Sequence, residues 1–98
     1  METARCRAFL AAAETGSFSK AAEALSYTPS GVNQLVTALE KELGFPVFRR
    51  NTKGVTLTEN GELLLPTVRE FLLYYLTKPE HQLQVREEIY LDNMLDLF

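Results

Sequence analysis

Ninety-eight residues, 46 % of them hydrophobic and with a net charge of −3, suffice for one compact domain plus one extra element, and exclude a two-domain enzyme. No apolar run approaches the roughly 18 residues that span a bilayer, and the opening METARCRAFLAAAETG reads as a helix rather than a signal peptide, which implies a cytoplasmic protein without membrane contact. A single cysteine, Cys6, cannot pair within the chain and lies on an apolar helical stripe, the place of a core thiol.

The net charge conceals a division. Residues 1 to 60 carry seven basic and six acidic side chains, net +1, whereas residues 61 to 98 carry three and seven, net −4. A polyanion-binding surface therefore belongs to the first sixty residues, where FRRNTKG holds three cations and no acid.

ETARCRAFLAAAET predicts a first helix, with Ala4, Ala8, Leu10 and Ala11 near the i, i+4, i+7 pattern and Gly16 as its stop. Ser17 then caps a two-turn helix, FSKAAEAL, whose Phe18, Ala21, Ala22 and Leu25 share a face. SYT follows as the turn. Thr28 is an N-cap, and Pro29 takes the first helical position, where its missing N–H costs nothing. From there Val32, Leu35, Val36, Leu39 and Leu43 form one buried stripe that ends at Gly44. Ser30, Asn33, Gln34 and Thr37 fall on the opposite face, so the third helix offers small hydrogen-bonding groups at its exposed start.

PVFRR and GVTL are short strand-like runs around NTK, a small hairpin with Gly54 helping the turn. A fourth helix, ENGELLLPTVREFLLYYL, opens after Thr58; Pro66 either kinks it or sets its first turn and a half apart. Its Leu64, Leu65, Val68, Phe71, Leu72 and Tyr75 form an apolar face suited to pairing with a second copy, with packing on the first helix as the other use.

Beyond TKPE, Thr77 and Glu80 form a capping box for a last helix, HQLQVREEIYLDNMLDLF, with Tyr90, Leu91, Met94, Leu95 and Phe98 on one stripe. This stretch folds back on the fourth helix, swaps onto a partner or serves as an acidic docking peptide; its MLDLF faintly resembles sliding-clamp-binding peptides but lacks their glutamine. Catalytic and cofactor chemistry finds no support. There is no His or Cys cluster with metal spacing, no GxGxxG or GxxxxGK loop, and His81 stands alone.

The segment GSFSKAAEALSYTPSGVNQLVTALEKELGFPVFRRNTKGVTLTENGELLLP resembles the N-terminal winged helix-turn-helix of the LysR-type transcriptional regulators. The resemblance rests on GSF at 16 to 18, AA at 21 and 22, LE at 39 and 40, LG at 43 and 44, Phe48 with Arg50, and LT with Gly at 57, 58 and 61; it covers residues 1 to about 70. It implies a mainly α, winged helix-turn-helix fold, a three-helix core plus a small β-hairpin wing, followed by a linker helix; the capping box and stripe beyond it add a short C-terminal helix. The implied division is a winged domain over 1–58 (helix-turn-helix about 18–37, wing about 46–57), a linker or dimerisation helix over 59–78, and an acidic tail over 79–98 that has no family counterpart.

In this family the third helix enters the DNA major groove, whose donor and acceptor pattern distinguishes every base pair. The resemblance places Ser30, Asn33 and Gln34 at base-contacting positions, and Asn or Gln can pair bidentately with adenine. Many members carry serine in place of Asn33 and arginine in place of Gln34, so the guanine contact of that arginine does not carry over. Ser17, Thr28 and the free N–H groups at the helix starts suit phosphates, and Pro29, at the start of the third helix, belongs to the same DNA-facing set. Arg49, Arg50 and Lys53 fall on the wing: Arg50 matches the wing arginine, Lys53 the tip residue, and Arg49 fits equally a charge that protects an edge strand.

The family continues into a dimerising linker and a periplasmic-binding-type effector domain, of which these 98 residues hold nothing. The expected function is thus a dimeric regulator without the ligand-sensing domain, binding double-stranded DNA at a palindromic operator and needing no small-molecule ligand or cofactor. The alternative is an interaction protein that pairs with a full-length relative and modulates it.

Overall fold

The computed structural model describes residues 1–77, and in them short-range signals set most of the helix ends. Helix α1 (Thr3–Thr15) stops at Gly16 and α3 (Pro29–Leu43) at Gly44, both in the left-handed conformation that glycine adopts without a Cβ penalty. Helix α2 (Phe18–Leu25) begins at Ser17, whose hydroxyl accepts the Lys20 N–H. Thr28 caps α3 by accepting the Gly31 N–H at 3.0 Å, and Pro29 occupies the first turn. Gly31 leaves room for this cap: a Cβ there would lie 3.2 Å from the Thr28 hydroxyl.

The core lies between α1, α2 and α3. Phe9 and Leu10 of α1 and Val32, Val36 and Leu39 of α3 are fully buried, and each such Leu, Val or Phe contributes roughly 1.5–3 kcal/mol. Ala8, Ala11 and Ala12 of α1 and Ala21 and Ala22 of α2 are buried in the same cluster. Cys6 is also fully buried, and that burial pushes its thiol up to about 11. The N-terminal amine and Arg5 both reach Glu42 of α3, at 3.0 and 3.1 Å.

Strands β1 (Phe48–Asn51) and β2 (Gly54–Leu57) pair antiparallel, Phe48 opposite Leu57 and Asn51 opposite Gly54, with Thr52 and Lys53 as the tip. An isolated two-stranded hairpin is marginal in water, so its anchors matter. The Val55 N–H donates to the Gly16 carbonyl at 3.0 Å, and Gly54 (φ +140°) sits where a Cβ would run into that same carbonyl oxygen. The Phe48 ring packs between Phe9 and Phe18, centroids 5.4 and 5.9 Å away. Asn51, expected within the turn, instead ends β1 and accepts the Lys53 N–H through its side chain, an Asx-type turn.

Helix α4 (Glu59–Thr77) runs uninterrupted through the exposed Pro66, which settles that choice in favour of one helix. It leaves the hairpin directly across α1, and the nearest apolar surface decides what its stripe covers. Val68 and Leu72, expected to meet a second copy, are fully buried in the chain's own core; Leu64, Leu65 and Phe71 pack on that core and Tyr75 is half-buried. Arg69 adds an ion pair to Glu14 of α1 at 2.8 Å. The outward face carries Leu63, Leu73 and Tyr74, which are 71, 55 and 61 % exposed. Thr77, the last described residue, donates its hydroxyl to the Tyr74 carbonyl; Glu80, His81 and the expected C-terminal helix lie outside the described residues. Among the described residues no helix is long and apolar enough to cross a membrane.

Candidate nucleic-acid interface

The polar face of α3 is open to solvent because its other face is committed to the core. Ser30, Asn33, Gln34 and Thr37 are all exposed, while Val32, Val36 and Leu39 point inward, so burial alone orients the helix. An open depression of about 320 Å³ runs along this face, lined by Asn33, Gln34, Thr37, Ala38 and Lys41. A second, of about 380 Å³, lies between the start of α2, α3 and the hairpin; Ser17, Ser19, Asn33, Arg50 and Lys53 are among its lining residues.

Two helix N-termini border this surface. Ser17 and Thr28 each satisfy one backbone N–H of the following turn, which leaves further first-turn N–H groups and the positive end of each helix dipole for an anion. Lys53 at the hairpin tip is exposed, and Arg49 is exposed on β1 opposite Thr56. The sequence-predicted residues thus come from α3 (Pro29, Ser30, Asn33, Gln34), β1 (Arg49, Arg50), the N-caps of α2 and α3 (Ser17, Thr28) and the hairpin tip (Lys53).

Arg50 is exposed on β1. Its guanidinium turns toward α3: Nη2 donates to Glu40 Oε1 at 2.8 Å, Nη1 donates to Asn33 Oδ1 at 2.7 Å, and the group stacks 5.1 Å from the Phe18 ring centroid. Glu40 is the residue that sequence reasoning passed over. Its Oε2 accepts the Val47 and Phe48 N–H groups at 2.8 and 3.3 Å while Oε1 holds Arg50, so one carboxylate ties α3 to the start of β1 by backbone and to its middle by side chain. Its only trace in the sequence was the LE pair at 39 and 40, because what the carboxylate meets is seven to ten residues further on, beyond the end of the helix.

In its chemistry the arrangement resembles a reader of nucleic acid: a protruding helix with amide and hydroxyl side chains, flanked by cations and helix N-termini. Comparison with known proteins agrees. Residues 3–62 match the family described as bacterial regulatory helix-turn-helix protein, lysR family. The chain is 37 % identical over 83 residues to the HTH-type transcriptional activator AllS of Salmonella paratyphi A, covering 85 % of this chain and 27 % of that protein. It is 44 % identical over 72 residues to an HTH-type transcriptional regulator of Azotobacter vinelandii, covering 74 % and 50 %. Its fold superimposes on the CbnR_DBD-DNA complex with a TM-score of 0.74 at 31 % identity, covering 76 % of this chain and 85 % of that one. For the BenM_DBD/catB site 1 DNA complex the TM-score is 0.77 at 26 % identity, covering 88 % and 96 %. The chain therefore spans about a quarter of the AllS relatives' length, the relatives are transcriptional regulators rather than enzymes, and the chain belongs to the LysR family through its winged helix-turn-helix DNA-binding domain.

Proposed function

We propose that the protein is a cytoplasmic, sequence-specific transcriptional regulator that binds an interrupted palindromic operator as a homodimer, with α3 in the major groove and the hairpin tip on the flanking backbone. The observation that carries this reading is the exposed row Ser30, Asn33, Gln34 and Thr37 on the face of α3 opposite its buried stripe. Asn33 and Gln34 are the base readers; Gln34 can pair bidentately with adenine, a contact worth about 1–3 kcal/mol of discrimination. Ser30 stands beside them at a base-contacting position, Pro29 presents the start of α3, Ser17 and Thr28 with the free first-turn N–H groups hold phosphate, and Lys53 with Arg49 supplies charge to the phosphates.

Pairing runs through α4. Its inward stripe is occupied by α1, so the second copy meets the outward face, where Leu63, Leu73 and Tyr74 are exposed. Two domains related by a two-fold axis would address half-sites about one helical turn, roughly 34–36 Å, apart.

Fluorescence-anisotropy titration of the protein with its own upstream DNA and with a scrambled duplex, across a salt series, tests the proposal. The expected result is tighter binding to the upstream DNA by about 10³-fold or more with a steep salt slope. Equal and weak binding to both duplexes overturns it, and co-purification of a full-length relative in that case supports the modulator reading instead.

A further inference from the structure

We infer that Arg50 is a positioning residue for base recognition: by holding the Asn33 carbonyl oxygen it turns this side chain into a hydrogen-bond donor only, which selects guanine over adenine at the base pair that Asn33 reads. The inference rests on the DNA-reading role of α3 proposed above and makes it specific.

An asparagine amide offers one oxygen with two lone pairs and one NH2 with two donors. Here Oδ1 accepts a short, charge-assisted bond from Arg50 Nη1 at 2.7 Å, and the Thr37 hydroxyl lies 3.4 Å away on its other side, a weak contact. The orientation follows from the chemistry of the partner. A guanidinium donates and never accepts, and turning the amide over would set NH2 against a cation. What Asn33 presents outward is therefore its NH2.

Adenine in the major groove shows N7 as acceptor and N6–H2 as donor, so the usual asparagine–adenine pair needs a free amide oxygen as well as the NH2. Guanine shows two acceptors, N7 and O6, and asks for donors alone. The first pairing is closed to Asn33 while Arg50 holds it, and the second is open.

Arg50 is itself held in place. Its Nη2 donates to Glu40 Oε1 at 2.8 Å, its Cζ lies 5.1 Å from the Phe18 ring centroid, and Glu40 is fixed by the backbone N–H groups of Val47 and Phe48. A reader oriented by a chain of bonded supports loses little freedom when it meets its base.

The test is selection of binding sites from a randomised duplex library by the wild-type protein and by Asn33→Ala, Arg50→Met and Asn33→Asp, with thermal unfolding of each variant as a folding control. In the wild type we expect guanine over adenine by about tenfold at one position per half-site, identified as the position whose preference Asn33→Ala abolishes. Arg50→Met, which keeps an extended side chain but has no donor for the Asn33 oxygen, is expected to bring adenine up to parity or beyond at that position while the other positions keep their preferences. Asn33→Asp retains an acceptor for Arg50 but cannot donate; it is expected to lose guanine there, and it keeps the inference falsifiable if Arg50→Met does not fold. Adenine preferred by the wild type, an unchanged preference in a folded Arg50→Met, or guanine retained by Asn33→Asp overturns the inference while leaving the regulator function standing. Absence of any selected sequence in the wild type overturns the DNA-reading function itself.

Discussion

Arg50 on the hairpin and Asn33 on α3 stand 17 residues apart in the chain, and a 2.7 Å hydrogen bond joins them across the interface surface. Glu40 supports the pair from behind, and its carboxylate is the point at which α3 and β1 are locked together. Glu40→Ala leaves two backbone N–H groups and the Nη2 side of the Arg50 guanidinium without their acceptor. The expected loss is about 2 kcal/mol of stability, since charge-assisted bonds contribute 1.5–3 kcal/mol each and water replaces part of them. Urea denaturation of the variant against wild type measures it, and a change below about 0.5 kcal/mol would remove Glu40 from the account.

The hairpin is positioned by a contact that leaves no space for a methyl group. Gly54→Ala places a Cβ against the Gly16 carbonyl oxygen at a φ of +140°, a conformation that L side chains rarely adopt. A destabilisation of about 1–3 kcal/mol is expected. Faster amide exchange of the Val55 N–H, which bonds the same carbonyl, should accompany it and distinguishes hairpin release from general unfolding.

For DNA, reading and positioning separate by their salt dependence. Asn33→Ala and Gln34→Ala are expected to narrow the gap between operator and random DNA, with the salt slope unchanged. Lys53→Ala is expected to weaken both duplexes alike and to reduce the slope by about one unit. Equal losses on both duplexes for the first two variants would remove them as readers.

The two faces of α4 predict opposite concentration dependences. Leu72→Ala empties a fully buried site and is expected to cost about 2–5 kcal/mol at any protein concentration. Leu63→Asp, on a side chain 71 % exposed, is expected to leave the fold of the single chain intact and to shift sedimentation toward the monomer. A monomeric Leu72→Ala that is otherwise stable would reverse the assignment of the faces.

Acid should act at the junction of α1 and α3. The carboxyl of Glu42 is held below its ordinary value of 4.5, first by the hydrogen bond from the N-terminal ammonium and then by that from Arg5. A carboxyl lowered in the folded state binds its proton more tightly when unfolded, so its contribution is present above about 4.5 and disappears as the pH falls through its folded value. Glu42→Gln is expected to lower the unfolding temperature at neutral pH and to match wild type once the solution is well below that range. A difference that persists in acid would point to packing rather than charge.

Much of this protein is written in short-range chemistry. Ser17, Thr28 with Pro29, Gly16 and Gly44 set the limits of three helices because a cap, a proline ring or a missing Cβ acts on its own turn. The 3, 4 spacing of Val32, Val36 and Leu39 placed Asn33 and Gln34 on the open face without reference to any other element, since a helix can bury only one side. What neither spacing nor propensity could specify was which surfaces meet. That α4 lays Val68 and Leu72 on α1, and that Arg50 turns inward to Glu40 and Asn33, depends on the path of the chain through the hairpin. An apolar stripe or a cation states what it can bind, and only the tertiary arrangement supplies the partner that lies within reach.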